Sequence, residues 1–112
     1  MTEAAGKYLL VLTNAPDHET AIKLANLLVG KRLAACVNVL GGCTSVYRWQ
    51  DGIETEPEIP LLIKTHVDRF SAVQEEILNV HPYELPEIVA VPIECGLKPY
   101  LDWVASSLDL SR

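Results

Sequence analysis

The stretch SVYRWQDGI, Ser45–Ile53, decides the fold of this chain. Within it, Gln50-Asp51-Gly52 is a typical hairpin turn, and the aromatic and β-branched residues before the turn favour a strand. The two arms of the predicted hairpin run from about Ala35 to Trp49 and from Ile53 to about Thr65. Strands average about 5 to 6 residues. Arms of this length, at about 3.3 Å per residue, therefore project beyond a small sheet.

Both arms contain residues that interrupt regular pairing. Gly41-Gly42 in the first arm indicates a bulge or a bend. Pro57 and Pro60 in the second arm cannot donate a backbone hydrogen bond. We therefore expect these prolines to be bulged or unpaired on one side.

The projecting end of the hairpin carries Tyr47, Trp49 and Ile53, which a single chain would leave in water. Exposed apolar surface of this kind marks an interaction site. The simplest partner is another copy of the same chain. The sequence therefore predicts a homo-oligomer.

Apolar strands and amphipathic helices continue outward on both sides of the hairpin. In chain order they are a strand at Lys7–Thr13, a helix from an Asp17 N-cap to about Lys31, a helix from an Asp68 N-cap to Val80, a strand at Ile88–Ile93 and a helix at Leu97–Leu108. This order predicts an α+β fold, the ferredoxin-like plait (βαββαβ plus a C-terminal helix), in which two helices cover one face of an antiparallel sheet. Residues 1–112 form a single domain in this prediction, with residues 1–6 as a disordered leader.

Composition excludes several classes of protein. The net charge of −6 argues against nucleic acid and against an anionic membrane as partners. The apolar run Tyr8–Leu12 is too short for a secretion signal or a membrane span, so we expect a cytoplasmic protein. The three cysteines, Cys36, Cys43 and Cys95, have no C-x-x-C spacing, which argues against a disulfide scaffold and a zinc ribbon.

The connection HPYELPE, His81–Glu87, concentrates polar groups between the second predicted helix and the last predicted strand. Pro82 disfavours helical geometry at His81, and Pro86 favours an extended conformation at Leu85. A stiff connection that holds a histidine, a phenol and carboxylates is typical of a functional site. The alternative is a rigid turn with a capping histidine.

Five motifs in this chain carry a family resemblance. They are Leu33–Asn38, Ser45–Trp49 with Gly52, Lys64-Thr65, His81–Ile88 and Tyr100–Trp103. In this order and spacing the chain resembles the CutA family, the divalent-cation tolerance proteins. The resemblance implies a ferredoxin-like subunit in a tight homotrimer, with each long hairpin extending a neighbour's sheet. It also implies tolerance of copper and other divalent metals, with copper binding assigned to some members.

The resemblance also indicates which residues would bind a metal. Copper ligands proposed in the family are a cysteine at the end of the first strand and histidines before the Pro-Tyr of the connection. Here those positions hold Thr13 and Val80, and His81 remains. Cys36 lies in the matching Ala-Ala-Cys motif, although it is also a plausible core residue. No cofactor is obligatory in this prediction, and His81 and Cys36 are the candidate ligands for copper or a similar divalent cation.

A second set of polar residues predicts a ligand cleft between subunits. Its members are Trp49, Lys64, Tyr83, Glu84 and Glu87. The family's trimer is similar to the PII signalling proteins, which bind small ligands between subunits. The alternative function is therefore a PII-like sensor or scaffold that binds a small molecule, with Lys64 as the charge partner of an anion. The opposing interpretation is that Lys64 pairs with Glu87 only for assembly.

The glutamates of the second arm and the absence of catalytic motifs bear on two further functions. Glu54, Glu56 and Glu58 alternate along one arm, so they bind a hard cation or form a solvated face. Catalysis is not expected, because the chain has no catalytic triad and no Gly-rich phosphate loop. Asn14-Ala15-Pro16-Asp17 stands where an acylphosphatase has its arginine-bearing loop.

Overall fold

The computed structural model describes the backbone of residues 2–3 and all of residues 7–110. The strands are β1 (Thr2–Glu3), β2 (Tyr8–Ala15), β3 (Cys36–Val39), β4 (Cys43–Trp49), β5 (Gly52–His66), β6 (Val89–Pro92) and β7 (Cys95–Gly96). The helices are α1 (His18–Gly30), α2 (Phe70–Val80) and α3 (Lys98–Ser107), with a 3₁₀ turn at Val67–Arg69. The predicted α+β fold, with an antiparallel sheet and three helices, is confirmed.

The strand β5 runs through the whole molecule. Its C-terminal half lies between β3 and β2, in a sheet of order β3-β5-β2-β6 whose pairs are all antiparallel. Its N-terminal half pairs only with β4 and forms the predicted hairpin. At about 3.3 Å per residue, the length of β5 accounts for the longest dimension of the chain, 49 Å.

The predicted interruptions of the hairpin are present. The first arm is divided at Leu40–Gly42 into β3 and β4, as the glycine pair indicated. Pro57 pairs with Thr44, and on its other side β2 has already ended opposite Ile59. The carbonyl of Pro60 accepts from Leu40 N–H at 3.0 Å. Carbonyl and N–H of one residue point to the same side of an antiparallel strand, so the N–H that Pro60 lacks would point past the end of β3.

Alternation along the strands creates two different faces. Val11 and Ile63 point to the face that α1 and α2 cover, where the main core lies. Tyr8 points to the opposite face, where it packs with Ala35 and Val104 under α3. We call these the closed face and the open face, because α3 covers only part of the second one.

The helix ends follow local capping chemistry. Asp17 caps α1 as predicted, with Oδ1 accepting from Thr20 N–H at 2.7 Å, and this bond lowers the pKa of Asp17. The predicted Asp68 N-cap is wrong, because His66 Nδ1 accepts from Asp68 N–H at 3.0 Å and starts a 3₁₀ turn before α2. An imidazole nitrogen here serves as the acceptor that a carboxylate usually provides.

The ends of the chain and its helices bear on two further predictions. Most of the predicted disordered leader, residues 1–6, lies outside the described residues. At Thr2–Glu3 the structure has a strand instead, because the backbone pairs with Cys95–Gly96 of β7. Among the described residues, no helix combines the length and the apolar character needed to cross a membrane.

Candidate functional site

The connection His81–Glu87 begins where α2 ends. His81 N–H donates to Ile77 carbonyl at 2.8 Å, which closes the last turn. His81 itself has extended backbone (φ −72°, ψ 132°), the conformation that a following proline favours. The chain then bends at Tyr83–Leu85 and reaches β6.

The imidazole of His81 is buried, 7% exposed, and both of its nitrogens have backbone partners. Nδ1 accepts from Tyr83 N–H at 3.1 Å, and Nε2 lies 2.5 Å from the carbonyl of Asn14 at the end of β2. An amide N–H can only donate and a carbonyl can only accept, so the ring is neutral with its proton on Nε2. His81 therefore holds the connection against the end of β2 by hydrogen bonds, in agreement with the alternative of a rigid turn with a capping histidine.

This arrangement leaves His81 without a free lone pair for a metal. Metal ligation needs a neutral imidazole nitrogen that is not already bonded. The position where the family resemblance implied a cysteine, Thr13, is 1% exposed in the main core and cannot reach a surface site. Its hydroxyl has no hydrogen-bond partner within the described part of the chain.

Cys36, the second predicted metal ligand, lies elsewhere on the sheet. It pairs with Lys64, which in turn pairs with Leu10 of β2. His81 contacts Asn14, further along β2 and nearer its other end. The thiol and the imidazole are therefore on the order of 15 Å apart within one subunit. In the described residues no three His, Cys, Asp or Glu side chains converge to hold a metal ion.

Tyr83 of the connection reaches the base of the hairpin. Burial and the negative charge of the nearby Glu58 raise the pKa of Tyr83 to about 12. Burial and the charges of the hairpin glutamates, Glu56 first, also raise the pKa of Tyr47. Glu58 is 9% exposed and lies where the hairpin leaves the main sheet. At neutral pH both phenols are protonated and can donate to these carboxylates.

The residues of the predicted cleft fall into separate places in the subunit. The Lys64 ammonium donates to Asn38 Oδ1, and Glu87 Oε1 accepts from Asn14 Nδ2 at 3.1 Å. Glu84 is exposed in the bend of the connection. The predicted pairing of Lys64 with Glu87 is therefore absent within one subunit.

Positions along β5 show how far apart the cleft residues lie. Trp49 pairs with Gly52 at the hairpin tip, and Tyr83 lies beside Glu58 at the hairpin base. Each step, from Gly52 to Glu58 and from Glu58 to Lys64, is about 20 Å at the usual rise of a strand. One subunit brings together only Tyr83, Glu84 and Glu87, which share the connection.

The sequence did not indicate the central roles of Asn14 and Glu58, although Glu58 belongs to the alternating row of hairpin glutamates. Asn14 joins His81 and Glu87 to the end of β2 through its carbonyl and its amide. Glu58 is buried between Pro57 and the apolar residues that follow it. A glutamate in such apolar surroundings is unusual in a strand, and this context is the signal that could have identified it.

Comparison with known proteins identifies the family. The family model described as CutA1 divalent ion tolerance protein matches residues 9–107. The divalent-cation tolerance protein CutA of Thermus thermophilus is 46% identical over 95 residues, which cover 85% of this chain and 92% of that protein.

Solved structures agree with the sequence comparison. CutA from Xylella fastidiosa has a TM-score of 0.89 at 43% identity, covering 92% of this chain and 99% of that one. The periplasmic divalent cation tolerance protein CutA from Archaeoglobus fulgidus has a TM-score of 0.88 at 37% identity, covering 90% and 98%. The chain belongs to the CutA1 divalent ion tolerance family.

Proposed function

We propose that this chain is a non-catalytic divalent-cation tolerance protein, a ferredoxin-like plait that assembles as a homotrimer. The relatives named for divalent-cation tolerance support the cellular role. We also propose a cytoplasmic location, because the three cysteines are all unpaired, as is usual in a reducing compartment. Cell fractionation tests the location, and recovery of the protein outside the cytoplasm would overturn it.

The main support for the proposed homotrimer is the apolar surface that a single subunit leaves exposed. On the open face, Val89 and Val91 are 49% and 44% exposed. On the hairpin, Val46 and Ile53 are 66% and 68% exposed. A sheet face and a protruding arm that are both apolar fit an assembly in which each subunit's arm packs on its neighbour.

Cation binding in this proposal is weak and is shared between subunits. His81 and Cys36 do not fit a preformed copper site, because the His81 ring is fully hydrogen-bonded and the thiol is distant. Two groups of exposed carboxylates are relevant to assembly, Glu54 and Glu56 on the hairpin and Glu84 and Glu87 on the connection. Only assembly can bring a hairpin to a neighbour's connection, so each subunit provides part of a site.

The assembly is tested by light scattering coupled to size exclusion at micromolar concentration. We expect a mass of about 37 kDa, three copies of the 12.4 kDa chain. A stable monomer or dimer over the whole concentration range contradicts the proposal.

Calorimetric titration with Cu²⁺ and Zn²⁺ tests the cation binding. We expect weak binding that His81→Ala leaves within about threefold of the parent value, as does the control His18→Ala at the exposed first residue of α1. One tightly bound copper per subunit that is lost in His81→Ala would overturn the shared site. No heat of binding up to millimolar metal would overturn direct cation binding, and the homotrimer would then be judged from the scattering alone.

A PII-like sensor with a small molecule between subunits is less well supported. Lys64, Tyr83 and Trp49 would have to meet across an interface, since about 20 Å separates each from the next within one subunit. The titration above distinguishes the two, because a sensor of this kind would be insensitive to metal.

A further inference from the structure

The hairpin of β4 and β5 has two sides of different character. Residues that pair directly across an antiparallel ribbon lie on the same side, and the sides alternate along each strand. One side, which we call the acidic side, carries Tyr47, Trp49 and the three glutamates Glu54, Glu56 and Glu58. The other side, which we call the apolar side, consists of Thr44, Val46, Arg48, Ile53, Thr55 and Pro57.

The acidic side is partly occupied within the subunit. Burial, and after it the charges of Glu58, Tyr47 and Glu56, raise the pKa of Tyr83, so the phenol of the connection lies beside this side of the hairpin. The apolar side, by contrast, carries the highly exposed side chains of Val46 and Ile53. The apolar side is therefore the one that is available to a partner.

Arg48 is the only charged residue among the six of the apolar side. It pairs with Ile53 across the ribbon and follows Val46 on the same side of β4. Neighbours on the same side of a strand are about 7 Å apart. The apolar side therefore presents a valine and, one such step nearer the tip, a cation.

The edge strand β6 has the same spacing with the opposite charge. Val89 lies opposite Leu12 of β2 on the open face. Two residues further along β2, Asn14 Nδ2 donates to Glu87 Oε1 at 3.1 Å, so Glu87 continues the row of Val89 and Val91. The bond positions the carboxylate, which is exposed and has further lone pairs for a cation.

We propose that the apolar side of the hairpin packs on β6 of a second copy, with Val46 against the partner subunit's Val89 and Arg48 paired with the partner subunit's Glu87. This inference rests on the proposed homotrimer and states which side of the arm and which charges meet in it. A shift by one step along the strand would place the guanidinium against the partner subunit's Val89, so the charges select a single register. The contact joins two different surfaces of the chain, and such a heterologous contact can close into a ring of three.

The two charges cannot meet within one subunit. The connection reaches β5 at Glu58, which lies about 17 Å along the strand from Ile53, the partner of Arg48. The ion pair therefore needs a second copy of the chain. It leaves Glu54, Glu56 and Glu84 for the cation binding proposed above.

Charge reversal tests the pair, with association measured by analytical ultracentrifugation over a concentration series. Arg48→Glu and Glu87→Arg should each weaken association about tenfold or more, because each places like charges together. The double variant should return to within about threefold of the parent, since it restores the pair with exchanged signs. The matched control is Glu54→Arg on the acidic side, which should leave association within about threefold of the parent. Urea is added equally to all samples if the parent does not dissociate on dilution.

Two results would overturn this contact while the homotrimer stands. They are a double variant that associates no better than the single variants, and a Glu54→Arg that weakens association as much as Arg48→Glu does. A parent that is monomeric over the whole series overturns the homotrimer itself, and this contact with it.

A neutral pair of variants decides if Glu87→Arg does not fold. Glu87→Gln keeps an acceptor for Asn14 Nδ2 and removes the charge, and Arg48→Met removes the cation. The double variant Arg48→Met/Glu87→Gln should associate as well as either single variant, because each change alone already removes the pair. Losses that add in the double variant contradict the pair.

Discussion

The two faces of the sheet are built from the same strands but differ in how deeply their side chains are buried. On the closed face Val11, Leu61 and Ile63 are fully buried under α1 and α2. On the open face Val89 and Val91 remain almost half exposed. Val89 and Val91 are as apolar as Val11 on the closed face, so the nature of these side chains does not cause the difference. What differs is how much of each face the chain's own helices cover.

The uncovered area of the open face is the main support for the proposed homotrimer. Strands that are apolar at nearly every position are typical of sheets buried on both faces. The runs Tyr8–Leu12 and Ile88–Val91 have this character, yet α3 covers only one end of the open face. The remaining apolar area is where the proposed homotrimer would place a neighbouring subunit.

The largest expected effect comes from placing a charge on the open face and comparing it with a charge on the outer side of α1. Val91→Asp should weaken self-association on the order of 100-fold or more, because an interface would have to bury an unpaired carboxylate. The matched control is Ile22→Asp on the outer side of α1, where exposure is similar at 40% and no interface is expected. Analytical ultracentrifugation over a concentration series measures the effect. Equal association of both variants would remove the open face from the interface.

Truncation of adjacent residues on opposite faces gives the next largest effect. Ile63→Ala on the closed face should lower the free energy of unfolding by about 2–5 kcal/mol, since it leaves a cavity in a packed core. Leu62→Ala, next to it on the open face, should act mainly on association. Denaturant unfolding at several protein concentrations separates the two effects. A cavity-sized loss at Leu62 that is independent of concentration would show that the open face is closed within the subunit.

The fold was predictable because the deciding features are local. The hairpin turn, the glycine pair at Gly41-Gly42 and the Asp17 cap each depend on residues that are neighbours in the sequence. The hairpin also projects because β5 is simply longer than its partner β2 can cover. Periodicity and turn chemistry are sufficient for such elements.

The candidate site was less predictable because its contacts join distant residues. Whether the His81 ring can bind a metal or instead holds the connection in place depends on its hydrogen bond to the carbonyl of Asn14 in β2. Lys64 and Tyr83 were grouped by chemistry, whereas the register of β5 places them at opposite ends of the sheet. Residue types indicate which groups can bind or react, but only the register of the strands shows which of these groups lie close together.

Two buried threonines of the closed face sharpen the comparison. Among the residues that the structure describes, the Thr13 hydroxyl has no partner, whereas Thr65 Oγ1 donates to Leu33 carbonyl at 2.6 Å. Thr13→Val should raise the free energy of unfolding by about 1 kcal/mol, because it removes an unsatisfied polar atom of the same shape. Thr65→Val should lower it by about 1–2 kcal/mol, because it leaves the carbonyl unpaired. Thermal or denaturant unfolding measures both, and a loss of stability in Thr13→Val would show that its hydroxyl is bonded.

The smallest expected effect is a pH dependence of the unfolding free energy, caused by His66 at the end of the open face that α3 covers. Burial lowers the pKa of His66 below its ordinary 6.5, against the opposing charge of Asp68, and the ring packs edge-on against Tyr8 at 5.2 Å. The Asp68 carboxylate, 3.7 Å away, would pair with a charged ring, but Nδ1 already accepts Asp68 N–H and is unprotonated. A histidine whose folded pKa is lowered contributes stability above pH 6.5 that is lost as pH falls through the folded value.

His66→Asn keeps an acceptor for Asp68 N–H without titrating, so it should remove this part of the decline in unfolding free energy between pH 7 and 5. An unchanged decline in His66→Asn would assign the acid sensitivity to another group. The matched variant His18→Asn, at the exposed first residue of α1, should leave the decline unaltered.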